Sequence, residues 1–406
     1  MTTSQPRIAI IGAGPAGLAL GVLLQKKNID FTIFERRSKP TAEELAAPSG
    51  MLDLHEESGQ AAIEACGLTD EFRKLTADCS ESMAIIDRDG NILHTDDGGE
   101  QNRPEIARHA LISLLLGQVQ PAHIRWNQKI VAATEQDDGT VSLEIDGSVA
   151  ETFDFVIGAD GAWSRIRPLL TSTKPEYAGL QYVTATVRDI STRFPDLASL
   201  VGTGTCFLLG SSKTAVIGHR GVRDTQCLYV TVGTDNSGDI FAGLDSSQIK
   251  EALLTRNDMF GPWGDSTKAL ISAGLDDTII SESDGLPTAK PMYQLPIGHS
   301  WTSRPSATLI GDAAHLMLPY AGEGVNLALW DALNLSCVIT DAVFVSTSGT
   351  SFQEALREPL VAFEANMATR AGERAEETEQ NRSIMFAENG AQQMADVMKS
   401  YGPPPE

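Results

Sequence analysis

Residues 7–17 read Arg7-Ile8-Ala9-Ile10-Ile11-Gly12-Ala13-Gly14-Pro15-Ala16-Gly17, and this stretch decides the fold. Arg7 to Ile11 has the unbroken apolar run of a strand buried on both faces. Three glycines follow at the spacing GxGxxG. The residues from Leu18 to Lys27 then have helical character, and Asp30 to Phe34 form a second strand that ends at Glu35. Each glycine has a separate physical task. Gly12 permits the tight turn, Gly14 lets a pyrophosphate approach the backbone, and Gly17 lets the helix pack on the strand. Glu35 lies 23 residues after Gly12, where a carboxylate can bind ribose hydroxyls. The unit therefore predicts dinucleotide binding at the N-terminus of a helix. Arg36 stays open between a solvated charge and a contact to adenosine or to a passing nicotinamide cofactor.

Two further strand ends carry an acid and glycines. Phe153 to Ile157 is an apolar strand running into Gly158-Ala159-Asp160-Gly161, with Ser164 placed to cap the next short helix. Ala307 to Ile310 runs into Gly311-Asp312-Ala313-Ala314-His315, crosses Pro319, and reaches the turn Ala321-Gly322-Glu323-Gly324. That turn opens a helix through Asn326, Trp330 and Leu335, whose free N–H groups can hold a negative group. The segment Pro48 to His55 is a glycine loop in which Gly50 implies a close backbone approach. Asp53 reads as a helix cap or a ligand contact, and His55 as structural. Ile106 to Gln118 reads as a helix with Arg108 near its start, able to reach a cofactor or face solvent.

The bulk numbers set limits. The 406 residues suffice for two domains, and 42% are hydrophobic. The 31 basic and 54 acidic residues give a net charge of −23, which argues against nucleic acid or an anionic membrane as partner. Cys66, Cys79, Cys206, Cys227 and Cys337 are scattered and form no CxxC, which suits a reducing, cytoplasmic location without a zinc site or other metal. No signal peptide and no run of 18 or more apolar residues is apparent.

From Gln181 to Leu295 the character changes to β-branched strands with few helices: Val183–Val187, Thr205–Leu209, Ala215–Ile217 and Cys227–Val232. Met83 to His94 reads as a hairpin about Asp89-Gly90-Asn91. Helices are expected over 241–257 and 267–271, and largely from Ser351 to Met398. The domain reading is an α/β, Rossmann-like nucleotide-binding domain over 1–178 and 296–345, an inserted antiparallel-sheet domain over 179–295, C-terminal helices over 346–398, and a flexible tail over 399–406.

The three motifs together, in this order and spacing, resemble the single-component FAD-dependent monooxygenases of the para-hydroxybenzoate hydroxylase type. Their FAD-binding domain is of the glutathione-reductase type. Within that family, Gly50-Met51-Leu52-Asp53-Leu54-His55 with Ser58-Gly59-Gln60, and Asn381 to Phe386, look like the tetracycline-oxidising enzymes. The resemblance implies that Gly12, Gly14, Ala16 and Gly17 cradle the FAD pyrophosphate and that Glu35, with Arg36 beside it, serves the adenosine ribose. Arg108 and Asp312 would serve the chain between pyrophosphate and ribitol. Gly50, Leu52, Asp53, Asp160, Pro319 and Gly322 would lie along the cofactor, and Gly324, Val325 and Asn326 would tune the flavin through their N–H groups. NADPH or NADH would be the co-substrate without a second dinucleotide fold, and O₂ would react through a flavin C4a-hydroperoxide. The substrate would be an aromatic, enol or related polycyclic small molecule, met in secondary metabolism or detoxification by a monomer or weak homo-oligomer. Thr184, Phe207, Lys213, Tyr229, Met292, Pro319, Met385 and Phe386 are the expected pocket residues, with Lys213 and Tyr229 as a pair that orients an acidic substrate. The alternatives are a same-fold dehydrogenase, reductase or Baeyer–Villiger-type enzyme, or a flavin binder without catalysis; no Trp-x-Trp-x-Ile-Pro halogenase signature occurs. Glu323 stands where relatives usually carry Gln, and the sequence offers no partner for it.

Overall fold

The computed structural model describes residues 5–76, 80–98, 103–211, 213–281 and 287–401. Cys79, residues 99–102 and the end of the expected tail lie outside them. In chain order the strands are β1 (Ile8–Ile11), β2 (Thr32–Phe34), β3 (Met51–Asp53), β4 (Met83–Asp87), β5 (Ile92–Asp96), β6 (Glu105–Ala107), β7 (Ile124–Arg125), β8 (Ile130–Glu135) and β9 (Val141–Ile145). They continue as β10 (Glu151–Phe153), β11 (Phe155–Gly158), β12 (Glu176–Val187), β13 (Thr205–Leu209), β14 (Thr214–Gly221), β15 (Thr225–Gly233), β16 (Lys290–Gln294) and β17 (Ala307–Leu309). The helices used below are α1 (Pro15–Lys26), α2 (Arg108–Leu116), α3 (Ser246–Thr255), α4 (Asp265–Ser281), α5 (Gly324–Ser346), α6 (Phe352–Met385) and α7 (Gly390–Tyr401).

The first sheet has the order β17-β11-β1-β2-β7 and its neighbours pair in parallel. Its central strand, β1, is buried at every residue, as its unbroken apolar run requires. All three motif strands, β1, β11 and β17, are adjacent in this sheet, so the three glycine turns leave from the same edge. That edge, at the carboxyl ends of the strands, is where open α/β sheets bind ligands. Gly12 has φ +111°, which only glycine adopts without strain. A Cβ on Gly17 would meet the Gly12 carbonyl oxygen at 2.0 Å, so helix α1 can approach β1 only with glycine there.

The second sheet has the order β16-β12-β15-β14-β13-β4-β5. Side chains alternate across it. Cys206, Leu208, Val216, Leu228, Val230 and Val232 face outward into a core shared with Ile249, Leu253, Leu270 and Ile271 of α3 and α4. Each large aliphatic side chain fully buried there contributes about 1.5–3 kcal/mol. The opposite face carries Thr205, Phe207, Ile217, His219, Tyr229 and Thr184, in register across β13, β14, β15 and β12.

Several boundaries differ from the sequence reading. The hairpin β4–β5 belongs to the second sheet, because β4 pairs in parallel with β13, so the first segment is not wholly nucleotide-binding domain and the inserted sheet is not wholly antiparallel. Strand β12 starts at Glu176, so the boundary at 178 cuts a strand. The helix expected over 241–257 starts only at Ser246, where Asp245 and Gln248 form a capping box, and α4 is longer than expected. The C-terminal helix α7 reaches Tyr401, past the expected start of the tail. Helix α5 is long and apolar enough to cross a membrane by length and composition, but here it is a core helix packed on α1 and α6.

A Gly17→Ala variant should lose about 1–3 kcal/mol of stability by overpacking. The measurement is the urea midpoint of unfolding, and an unchanged midpoint would show that α1 can move away from β1.

Candidate active site

The first motif folds around Glu35. Its buried carboxylate accepts the backbone N–H of Ala13 at 2.9 Å and that of Arg37 at 2.9 Å. Gly12 N–H is bonded to Phe34 O, so the turn is tied to β2 at two adjacent residues. A Cβ on Gly14 would meet nothing within 4 Å, which leaves open space at the start of α1 where its N–H groups are free. Ala16 is buried, close to the point where Gly311 passes, and Arg36 is exposed.

The second and third motifs are cross-linked. The buried guanidinium of Arg167 donates from Nε to Ala313 O at 2.8 Å, and from its terminal nitrogens to Ala162 O and Asp312 O. Ser164 Oγ caps the short helix through the N–H groups of Ile166 and Arg167. Asp160 accepts from Arg165 N–H at 2.6 Å on one oxygen and has no partner on the other. Burial pushes its carboxyl above the usual range, against the pull of hydrogen bonds and Arg167. The side chain of Asp312 is exposed, as is Pro319.

The late motif rests on a buried carboxylate that sequence reasoning did not single out. Asp331 of α5 accepts Gly311 N–H at 3.0 Å and His315 Nε2 at 2.6 Å on one oxygen, and Arg370 of α6 at 3.2 Å on the other. Burial works against a charged His315, but the Asp331 carboxylate outweighs it and holds the ring above the ordinary histidine range.

The turn before α5 is clamped by Asn326. Its side chain is fully buried; Oδ1 accepts His55 N–H at 2.9 Å, while Nδ2 donates to Asp53 O at 2.9 Å and Gly322 O at 3.3 Å. Gly322 has φ +70°, and Gly324 has clear space around its Cα. Val325 is half-buried and Leu52 sits on β3 beside this turn. Glu323, unexplained from sequence, has partners: His55 Nδ1 lies 3.6 Å away and Arg374 Nε 3.2 Å away. Burial pushes the Glu323 carboxyl up, and His55 and Arg374 pull it back. The other ring nitrogen of His55 lies 2.9 Å from Asp53.

Across the cleft, Thr184, Phe207 and Tyr229 share the inner face of the second sheet and are half-buried. Met292, Met385 and Phe386 pack around the Phe207 side of that face, with Leu318 and Tyr320. Gly50 makes its close approach to Tyr229, whose hydroxyl a Cβ would meet at 2.0 Å. Arg108 is exposed at the start of α2, and its charge draws down Tyr182 and Tyr229, which burial pushes up.

Lys213 is not brought to Tyr229. It lies exposed in the turn before β14, next to Thr214, which faces outward to Trp263, and its charge acts on Asp258 in the outer layer. The expected Lys213–Tyr229 pair therefore does not form. Residues that the sequence reading missed take that place. Glu105, Thr205 and His219 form a part-buried polar chain beside Tyr229. Strict alternation from Ile217 to His219 along β14 was the signal that could have found the imidazole. Among the described residues no group of His, Cys, Asp and Glu has the arrangement of a metal site.

An open helix start behind a GxGxxG turn and an acid on the neighbouring strand define a dinucleotide-binding arrangement. The family described as FAD binding domain matches residues 5–252 and 305–344. The monooxygenase penA of Penicillium thymicola is 36% identical over 98% of this chain and 99% of its own length. The monooxygenase asqM of Emericella nidulans is 34% identical over 97% of this chain and 98% of its own. Klebsiella pneumoniae HpxO complexed with FAD and uric acid shares the fold, with TM-score 0.73, 18% identity, and coverage of 97% of this chain and 93% of that one. The chain belongs to the FAD-dependent monooxygenases of the single-component class. FAD is its cofactor, and NAD(P)H and O₂ are the co-substrates typical of the class.

Because Asp331 raises His315 in the folded state, the contribution of this pair is fully present below the ordinary histidine value of about 6.5 and fades as pH rises through the raised value. Stability measured by urea unfolding should fall from neutral to alkaline pH. The Asp331→Asn variant should lose about 3–5 kcal/mol and show a flatter profile over that range. An unaltered slope in the variant would remove the pair as its source.

Proposed function

We propose that the chain transfers one oxygen atom to an aromatic, enol or related polycyclic small molecule held between the inner face of the second sheet and the start of α5. The observation that carries this is the half-buried inner face itself. It presents Tyr182, Thr184, Phe207, Ile217 and Tyr229 towards the cleft, while the outer face is closed by α3 and α4. Flat apolar side chains with a few polar groups among them suit a flat, mostly apolar molecule. Met292, Met385, Phe386 and Pro319 would complete the lining and exclude water. Full-length similarity to two fungal proteins named monooxygenases supports oxygen transfer and fits a place in secondary metabolism. The scattered free cysteines fit the cytoplasm.

The residues present fit FAD. The space at Gly14, the glycine-only approach at Gly12 and Gly17, and the buried Glu35 carboxylate form a cradle that a Cβ would fill. Gly12, Gly14, Ala16 and Gly17 would hold the pyrophosphate, and Glu35, with Arg36 beside it, the adenosine ribose. Arg108 and Asp312 would serve the ribityl side. Gly50, Leu52, Asp53, Asp160 and Gly322 would border the cofactor. When bound, the flavin supplies the hydride and oxygen chemistry. The chain would supply the field: the N–H groups of Gly324, Val325 and Asn326, at the start of α5, would offer partial positive charge to the reduced ring. Arg374 and His55 offset Glu323 there, so the extra carboxylate does not cancel that field.

Two measurements test this. NAD(P)H oxidation should rise on adding substrate, and the product should gain one oxygen atom by mass; hydride transfer without oxygen gain would favour a dehydrogenase or reductase. The Asn326→Asp variant sets carboxylate oxygens against the carbonyls of Asp53 and Gly322. It should weaken FAD binding by at least about ten-fold, equivalent to about 1.4 kcal/mol. Quenching of free FAD fluorescence by apoprotein reads this, and unchanged affinity would sink the clamp.

A further inference from the structure

Glu105 of β6 is 8% exposed and faces the inner side of the second sheet. Its Oε1 accepts the Thr205 hydroxyl at 3.1 Å; its Oε2 is buried without any hydrogen-bond partner. Thr205 Oγ1 also lies 3.0 Å from His219 Nδ1. If the hydroxyl donates to Glu105, it must accept from an Nδ1–H on His219. That fixes the tautomer and leaves His219 Nε2 as a lone pair. The His219 ring stands edge-on to Tyr229, 6.0 Å between centroids. Two acceptors therefore stand at the polar end of the inner face: a buried, unpaired carboxylate oxygen and an imidazole nitrogen. A buried acceptor left unpaired is costly, and a ligand donor can relieve that cost.

The carboxylates beside Glu105 point the same way. Asp53 of β3 stands directly opposite Glu105 in the β3–β6 pair, and Glu81, before β4, adds a second negative charge. Arg108 at the start of α2 acts on Tyr182 and Tyr229. Lys213 is absent from this end.

We propose that Glu105, tethered by Thr205 and His219, selects the substrate: it accepts a hydrogen bond from an N–H or O–H donor on a neutral or basic aromatic molecule and rejects carboxylates. This rests on the reading that the substrate lies between the sheet and α5. It replaces the acidic substrate that a Lys213–Tyr229 pair would have favoured. Glu105 acts in specificity rather than in the oxygen transfer itself.

Burial, with Asp53 and Glu81, pushes Glu105 up to about 7, against the pull of the Thr205 hydrogen bond. Burial holds His219 down to about 4, so the imidazole stays neutral across the range that matters. Discrimination should be widest above pH 7, where Glu105 is ionised, and should narrow below it.

The test titrates the FAD-loaded protein calorimetrically, without nicotinamide cofactor, using the isosteric pair 4-hydroxybenzamide and 4-hydroxybenzoate. At about pH 8 the amide should bind at least about ten-fold tighter. At about pH 6 the gap should shrink as Glu105 takes up a proton. Glu105→Gln should reduce the gap and abolish its pH dependence, and Thr205→Val, which removes only the tether, should reduce it in part. Equal affinities, tighter binding of the benzoate, no binding of the amide, or an intact gap in folded, FAD-retaining Glu105→Gln would each overturn the proposal. Because no turnover is needed, a failure of oxygen transfer would count against the proposed function and leave this result standing.

Discussion

One buried amide, that of Asn326, holds together parts of the chain that lie far apart in sequence. It accepts from His55 N–H and donates to the carbonyls of Asp53 and Gly322, so β3 and the start of α5 move as one body. Only an amide can do this, because the site offers one donor on one side and two acceptors on the other. A Cβ on Gly59 would strike the Asn326 oxygen at 2.4 Å, so the glycine in Ser58-Gly59-Gln60 is required by the same clamp. The backbone of residues 324–326 is free to face a cofactor because the Asn326 side chain, pointing the other way, already has its partners.

The net charge of −23 makes an anion-binding cleft an electrostatic problem, and the structure solves it locally. Three carboxylates near the nucleotide edge are spent on backbone N–H groups or basic side chains. Glu35 takes Ala13 and Arg37, Asp331 takes Gly311, His315 and Arg370, and Glu323 takes His55 and Arg374. Each arrangement keeps that carboxylate from cancelling the positive partial charge of the helix N-termini. The Glu323 carboxylate is tolerable for that reason: it is met by His55, just after β3, and by Arg374 of α6.

How much was legible in sequence depended on range. The three glycine turns were legible because their demands are local: a positive φ, a strand end, a helix start. Thr184, Phe207 and Tyr229, expected from the resemblance to line the pocket, share one face of the sheet. Lys213 misled because it precedes β14 by one residue, where alternation no longer predicts direction. The membership of β4 and β5 in the second sheet could not be read, since a parallel pair with β13 leaves no turn between the partners to mark it. Glu105 and His219 were missed for a related reason. Their meaning comes from Thr205, which lies between them in space and belongs to a third strand.

The two faces of the second sheet explain where variation in this fold can reside. The outer face is sealed by α3 and α4, so a polar group there would be buried without water, and Thr214 is accommodated only by its bond to the indole N–H of Trp263. The inner face is only half covered. A polar side chain at 184, 205, 219 or 229 keeps access to the cleft and, when a ligand fills it, to the ligand's own donors. The cofactor seat is built from backbone groups and glycines and has little room to change. The inner face is built from side chains, so in the proposed arrangement the recognised molecule can change there without disturbing the helix starts proposed to hold the flavin.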